Sequence, residues 1–107
     1  MNKFINNVEL QGIVGFCKET KVNDQYVYNI SLCTETSHSG KDGLVINTTW
    51  HQVRYWSNES LGELKGKWIN VKGYLNVQKY VGSDGSDKTF HYVNAKDLEV
   101  LGKEKYD

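Results

Sequence analysis

The sequence predicts an all-β domain, and three observations lead to that fold class. β-Branched and aromatic residues alternate with polar ones over most of the chain, which is the pattern of half-buried strands. Clusters of Asn, Asp, Gly and Ser separate these runs, as turns require. The 107 residues are 38% hydrophobic and 24% charged, a balance that excludes a disordered chain and suits one globular domain over residues 1–107.

Five strands are predicted from the alternation, with one short helix between the third and the fourth. The first strand contains glycines that permit the bulge or bend of a closing barrel. Residues 57–66 are predicted to form the helix, with Ser57 or Asn58 as its cap and Gly66 as its stop. The strands are predicted at residues 8–15, 26–34, 50–56, 68–80 and 90–101, with polar loops at 37–43 and 82–87.

The fourth strand has the clearest alternation in the chain. Its apolar positions are predicted to face the core: Ile69, Val71, Leu75 and Val77. Trp68 and Tyr74 lie on the opposite, polar face, where they could contact a base or a second subunit. Five strands with one short helix after the third is the order of an OB-fold, a Greek-key barrel that commonly binds oligonucleotides.

The third strand carries the candidate binding face. In an extended strand Trp50, Gln52, Arg54 and Trp56 share one side. Rings interleaved with an amide and a cation suit unpaired bases, which offer π-faces to stack and phosphates to neutralise. The alternative is that the two tryptophans are barrel core with Arg54 extending past them to solvent.

Charge favours a local rather than a global contact with nucleic acid. Thirteen basic and thirteen acidic residues cancel, which argues against binding through overall charge. Residues 44–82 contain five cations and two acids, a local charge of +3, and hold all three tryptophans. Arg54, Lys72 and Lys79 are therefore candidate phosphate contacts, although each could be ordinary solvated surface.

No pattern typical of catalysis, of a cofactor or of a metal is found. His38, His51 and His91 lack the spacing of a zinc site, and no nucleophile elbow or phosphate-binding glycine loop is present. Cys17 and Cys33 do not indicate a disulfide framework. With no signal peptide and no apolar run of about 18 residues, the chain is expected to be cytoplasmic, and not an enzyme.

Several segments together resemble the bacterial single-stranded-DNA-binding proteins, in order and in spacing. The similarity covers roughly residues 6–101, and its Thr-Trp-His and Lys-Gly segments are specific when found together in this order. The segments that carry it lie at residues 7–12, 29–34, 49–53, 64–66, 71–75, 79–80 and 84–85.

The resemblance implies an OB-fold and a set of base-stacking residues. Members of the family stack bases on aromatic residues at the positions of Trp50 and Trp56. A third ring follows a basic residue at the end of the fourth strand, matched here by Tyr80 after Lys79. The position of the fourth ring, usually tryptophan, is occupied by His38, which is a candidate for weaker stacking on a base.

Assembly and recruitment are expected to differ from the family pattern. In the family a lysine and an acidic residue are associated with packing between the subunits of a homotetramer. Asn7 and Lys72 occupy these two positions here, so either a homodimer or the usual homotetramer is expected. His51 is expected to pack or to hydrogen-bond near a subunit contact. Members of the family usually carry a Gly- and Pro-rich linker and an acidic tip that recruits replication proteins. This chain contains no proline and its last residues are Lys103 to Asp107. Recruitment of replication proteins through such a tail is therefore not expected.

The resulting prediction is sequence-independent binding of single-stranded DNA in replication, recombination or repair. The alternative is a replication accessory protein of the primosomal type, with the same fold, that acts mainly through protein contacts at Trp68, Tyr74 and Lys72. An OB-fold enzyme subunit or an oligosaccharide binder is a third possibility, but such a protein would not need cations between the rings.

Overall fold

Five strands close into a barrel in the computed structural model, which describes residues 2–102. They are β1 (Val8–Val22), β2 (Gln25–Gly40), β3 (Gly43–Ser57), β4 (Trp68–Val81) and β5 (Asp87–Gly102). Their order is β1-β2-β3-β5-β4, and β4 pairs with β1 to close the sheet. β3 and β5 are parallel, and the other neighbours are antiparallel. The prediction of an all-β, five-stranded barrel is confirmed. The expectation that no tail recruits replication proteins concerned residues 103–107, which lie outside the described residues.

The core is formed by alternate residues of all five strands, together with one leucine from the segment between β3 and β4. Its most deeply buried side chains are Val14, Tyr28, Ile30, Leu32, Val53, Leu64, Ile69 and Val71. Buried branched side chains each contribute about 1.5–3 kcal/mol through removal of apolar surface from water. These eight residues therefore account for a large share of the stability of the barrel.

Two hairpins are longer than the sequence predicted and extend past the end of the core. The residues predicted as a loop at 37–43 are strand except for Lys41 and Asp42, because Ser37 to Gly40 pair with Ile46 to Gly43. β4 and β5 remain paired up to Val81 and Asp87. Such ladders can form outside the core because backbone hydrogen bonds, rather than apolar burial, hold them together. These two segments are called the β2–β3 arm and the β4–β5 arm.

The core prediction for β4 is correct in its first half and wrong in its second half. Ile69 and Val71 are fully buried, but Leu75 and Val77 are 46% and 45% exposed. All four occupy the same face by alternation. The last two positions lie on the β4–β5 arm, where β4 pairs with β5 alone, so no opposite wall of the barrel covers them.

The predicted helix at residues 57–66 is wrong, because Ser57 ends β3 and residues 58–66 are irregular. Its backbone groups find partners elsewhere: the Leu61 amide donates to the Tyr28 hydroxyl at 2.7 Å, and the Gly66 amide donates to the Val14 carbonyl at 2.8 Å. Gly62 and Gly66 have φ of 75° and 83°, outside the helical region. A ten-residue helix is marginal without strong packing. The segment instead acts as a cap that places Leu64 in the barrel end. Across residues 2–102, no helix is long and apolar enough to cross a membrane.

Candidate nucleic-acid interface

β3 presents Trp50, Gln52, Arg54 and Trp56 on its outer face, because these positions alternate with Val53, which is buried. Trp50 is 56% exposed and Trp56 is 45% exposed. Rings with this much surface in water are not barrel core. The strand therefore displays two indoles on either side of one cation, and this set of four residues is called the β3 platform.

Polar side chains of β2 hold the centre of the β3 platform in place. Arg54 Nε donates to Asn29 Oδ1 at 3.3 Å, and Gln52 Nε2 donates to the Ser31 hydroxyl at 3.2 Å. Both contacts join residues that lie opposite each other in the β2–β3 register. The two polar side chains of the platform are thus held by β2 in the absence of a ligand.

Trp50 lies across the sheet and covers Gly15 of β1. A Cβ atom at Gly15 would come within 2.4 Å of Trp50 Cζ3 and 2.6 Å of Cη2. The register of β1 against β2 shifts at this point, between Val14 and Phe16, as a β-bulge produces. The missing side chain of Gly15 therefore makes room for the Trp50 indole to lie against the strand.

Arg54 also contacts an aromatic residue that the sequence analysis did not single out. Its guanidinium carbon lies 4.4 Å from the centroid of the Tyr92 ring, a cation–π distance. Tyr92 is fixed in turn, because Asn76 Nδ2 donates to its hydroxyl at 3.0 Å. The parallel pairing of β3 with β5 makes this contact, since it places Arg54 beside Asn94.

Tyr92 is one of a row of outward side chains on β5 that sequence analysis missed. Phe90 stacks on Tyr92 with ring centroids 5.9 Å apart and an interplanar angle of 26°. Asn94 donates to the Tyr74 hydroxyl at 2.8 Å, and Lys96 Nζ lies 5.5 Å from the centroid of the Tyr74 ring. The alternating Phe90, Tyr92 and Asn94 were a usable signal, but only the β3–β5 pairing shows that they adjoin the platform.

The β4–β5 arm carries Tyr80 on the same side as Phe90 and Tyr92. Tyr80 is exposed and lies opposite Lys88 in the register. Lys79, the predicted phosphate contact, is opposite Thr89 and by alternation projects from the other side of the arm. The cation on the Tyr80 side is therefore Lys88, which the sequence analysis did not propose.

His38 lies on the β2–β3 arm, where it is exposed and opposite Val45. Trp50 is opposite Cys33. Because positions 33 and 38 differ by an odd number of residues, alternation places His38 on the side of the arm opposite to the platform. The structure does not bring His38 together with Trp50 and Trp56.

Lys72 lies on a different part of the barrel surface, among β1, β4 and β5. In the register its neighbours are Glu9 on β1 and Asp97 on β5. Acidic residues therefore flank this lysine on both sides in the sheet. Lys72 also lines a shallow cavity with Asn7 and Tyr74, which groups three of the residues predicted for DNA or subunit contacts.

The remaining candidates for a subunit contact have different surroundings. Trp68 is half-buried opposite Ile13 and lines a cavity with Ile13, Leu44 and Ile46. His51 Nε2 lies 2.8 Å from the Thr34 hydroxyl, so its ring is held by a hydrogen bond within the chain. Asn7 is exposed just before β1.

Among residues 2–102, no group of three or more His, Cys, Asp or Glu side chains is arranged to hold a metal ion. Cys17 and Cys33 are free thiols. Cys33 lies next to Trp50 in the sheet, so the thiol borders the platform.

Comparison with known proteins finds that the chain is similar to single-stranded-DNA-binding proteins. Proteins of that name from Xanthomonas axonopodis pv. citri (strain 306), Xylella fastidiosa (strain Temecula1) and Neisseria meningitidis serogroup A are 31%, 28% and 27% identical to the chain. The matches cover 95%, 95% and 92% of the chain. The chain spans 61%, 66% and 60% of the length of these relatives. No protein-family profile matches the chain.

Solved structures agree with the sequence relatives. A chain of the Plasmodium falciparum SSB complex with ssDNA superposes with a TM-score of 0.76 at 26% identity, covering 94% of this chain and 99% of that one. A deletion mutant of the single-stranded DNA binding protein from Thermus aquaticus has a TM-score of 0.74 at 20% identity, covering 91% of this chain and 50% of that one, and shows the shared fold. The chain therefore has the OB-fold of the single-stranded-DNA-binding proteins and is similar to them in sequence along more than nine-tenths of its length.

Proposed function

We propose that this protein binds single-stranded DNA without sequence preference, in support of replication, recombination or repair. The observation that carries the proposal is the β3 platform, where Trp50 and Trp56 are exposed on one face with Arg54 between them. Every base has a π-face, so stacking on these rings tolerates any sequence. The role is binding rather than catalysis.

Phosphate contacts are assigned to few residues. Arg54 stands in the platform, and Lys88 accompanies Tyr80 on the β4–β5 arm. Lys79 reaches the DNA strand only if its long side chain bends around the arm. Lys72 is a poor phosphate contact because Glu9 and Asp97 flank it. Stacking therefore contributes more to the affinity than charge does, in agreement with a net charge of zero.

Relatives support the ligand assignment, since those compared above are named for binding single-stranded DNA and one structure is a complex with it. The chain covers 60–66% of the length of the three sequence relatives, so the assignment concerns what the barrel itself can bind. Free thiols at Cys17 and Cys33 suit a reducing compartment, and we propose that the protein acts in the cytoplasm.

Titration of intrinsic tryptophan fluorescence with oligo-dT at two salt concentrations tests the proposal. Binding should quench the emission of Trp50 and Trp56. The log–log salt slope should be shallow, about −0.7 for each phosphate neutralised and only a few units in total. Oligo-dT that neither quenches the emission nor binds by an independent measurement would contradict the proposal.

A second candidate function rests on the cavity beside Trp68. Ile13, Leu44 and Ile46 line it with Trp68, and exposed apolar side chains around a half-buried indole are typical of protein contacts. This surface fits the alternative of a replication accessory protein. Affinity for a short homopolymer separates the two functions, because an accessory protein would bind oligo-dT weakly.

A further inference from the structure

Phe90 belongs to a row of side chains that runs from the β3 platform onto the β4–β5 arm. Arg54 lies 4.4 Å from the Tyr92 ring centroid, and Tyr92 stacks on Phe90 at 5.9 Å. Phe90 and Tyr80 are on the same side of the arm, two register positions apart along β4. The row therefore connects the platform with the exposed ring of Tyr80.

The surroundings of Phe90 are those of a binding surface and not of a core. Its ring is 38% exposed, and its register partner on β4 is the polar Gln78. The buried residues of β5, Val93 and Ala95, lie closer to the barrel. A large ring on a two-stranded arm, with no apolar partner across the ladder, adds little to the stability of the fold.

The stack is also rigid enough to receive a base. Asn76 holds the hydroxyl of Tyr92, and Asn29 holds Arg54, so the neighbours of Phe90 do not need to reorganise on binding. Lys88 precedes Phe90 by two residues on the same side of β5, so their Cα atoms are about 7 Å apart at the rise of a strand. A cation at that distance can meet the phosphate of a nucleotide whose base lies on Phe90.

We propose that Phe90 is a base-stacking site, positioned by Tyr92, that guides the single strand from the β3 platform towards Tyr80. The proposal rests on the proposed function, because it adds a contact to the same DNA path. It predicts a specific dependence on strand length. A strand that covers only the platform does not reach Phe90, whereas a longer strand does.

The test compares Phe90→Leu with Phe90→Tyr in binding to dT strands of about 4 and about 16 nucleotides, the ends of the range for one OB-fold. Phe90→Leu keeps an apolar side chain but has no π-face, and it should weaken binding of the long strand about fivefold or more. Phe90→Tyr keeps the ring and should bind like the parent. Both variants should bind the short strand like the parent.

Val77→Ala is the matched control, because Val77 is exposed on the opposite side of the same arm; it should not alter binding. Parental affinity of Phe90→Leu for the long strand would overturn the proposal, and so would equal losses for both strands or a loss in Phe90→Tyr. Thermal unfolding shows whether Phe90→Leu folds. If it does not, the proposal is tested with Phe90→Tyr and with Phe90→Trp, whose added indole should be quenched by the long strand and not by the short one. If the parent binds neither strand, the proposed function itself has failed.

Discussion

Trp50 shows how one residue can depend on the absence of a side chain elsewhere. Its indole lies where a Cβ at Gly15 would intrude, at 2.4 Å from Cζ3. The ring can therefore lie along the sheet with one face in solvent. Neighbours in three strands thus determine the orientation of this exposed indole: β1 provides the space, β2 borders it and β3 carries the tryptophan.

Removal of a platform ring should reduce DNA binding without unfolding the protein. A stacked base contributes about 1–3 kcal/mol, so Trp50→Ala or Trp56→Ala should weaken oligo-dT binding about tenfold. Fluorescence anisotropy of labelled oligo-dT measures the change. Val77→Ala, at an exposed position on the side of the β4–β5 arm away from Tyr92, is the control; parental affinity in both tryptophan variants would refute the platform.

Gly15→Ala should act through Trp50. The added methyl group displaces the indole, and we expect a loss of affinity close to that of Trp50→Ala with little change in melting temperature. In a Trp50→Ala background the same substitution should have no further effect, since the interaction it disturbs has already been removed. Additive losses in the double-mutant cycle would show that Gly15 influences binding by another route.

At the scale of elements, the cap over the barrel end depends on Tyr28. Its buried hydroxyl donates to Glu19 Oε2 at 2.8 Å and accepts the Leu61 amide at 2.7 Å. Those two contacts connect β1, β2 and residues 58–67. They replace the hydrogen bonds that a helix in this segment would have made within itself, and they keep Leu64 in the core.

Tyr28→Phe should destabilise the protein by about 1–3 kcal/mol, the cost of leaving the Leu61 amide without its partner. Burial, the largest effect, raises the pKa of the Tyr28 hydroxyl above its ordinary value of 10.0. The folded state therefore favours the protonated hydroxyl. The contribution of this hydroxyl to the free energy of unfolding is complete below about pH 10 and is lost as the pH rises through the raised pKa. Urea unfolding of parent and variant between pH 7 and 11 should show a steeper alkaline decline for the parent; parallel curves would contradict the assignment.

At the scale of the whole molecule, one surface remains suited to self-association. Residues 8–12 of β1 pair with β4, whereas the pairing of β1 with β2 begins at Ile13. The other side of this short stretch can extend a sheet across a two-fold axis through backbone hydrogen bonds. Lys72 adjoins the stretch with Glu9 and Asp97 as its neighbours, and two acids so close lower the repulsion expected between symmetry-related lysines.

We therefore expect a dimer as the minimum unit at micromolar concentration, measured by sedimentation velocity. Lys72→Glu would leave three adjacent carboxylates on neighbouring strands, so it should weaken association, most strongly at low salt. Lys41→Glu, at the exposed tip of the β2–β3 arm, is the control. A parent that is monomeric at every salt concentration would refute this mode of assembly, and an assembly unchanged by Lys72→Glu would exclude a role for the charge.

The sequence by itself determined the fold class, the four residues of the β3 platform and the resemblance to single-stranded-DNA-binding proteins, because period-two alternation and the order of short motifs are local properties. Which side chains join the platform was decided by tertiary structure: the parallel pairing of β3 with β5 brings Tyr92 to Arg54, and the arms expose Leu75 and Val77. The cap that replaced the predicted helix has the same origin, since its hydrogen-bond partners Val14 and Tyr28 are distant in sequence. Alternation specifies which residues share a face of a strand, but only the closure and length of the paired strands specify what that face meets.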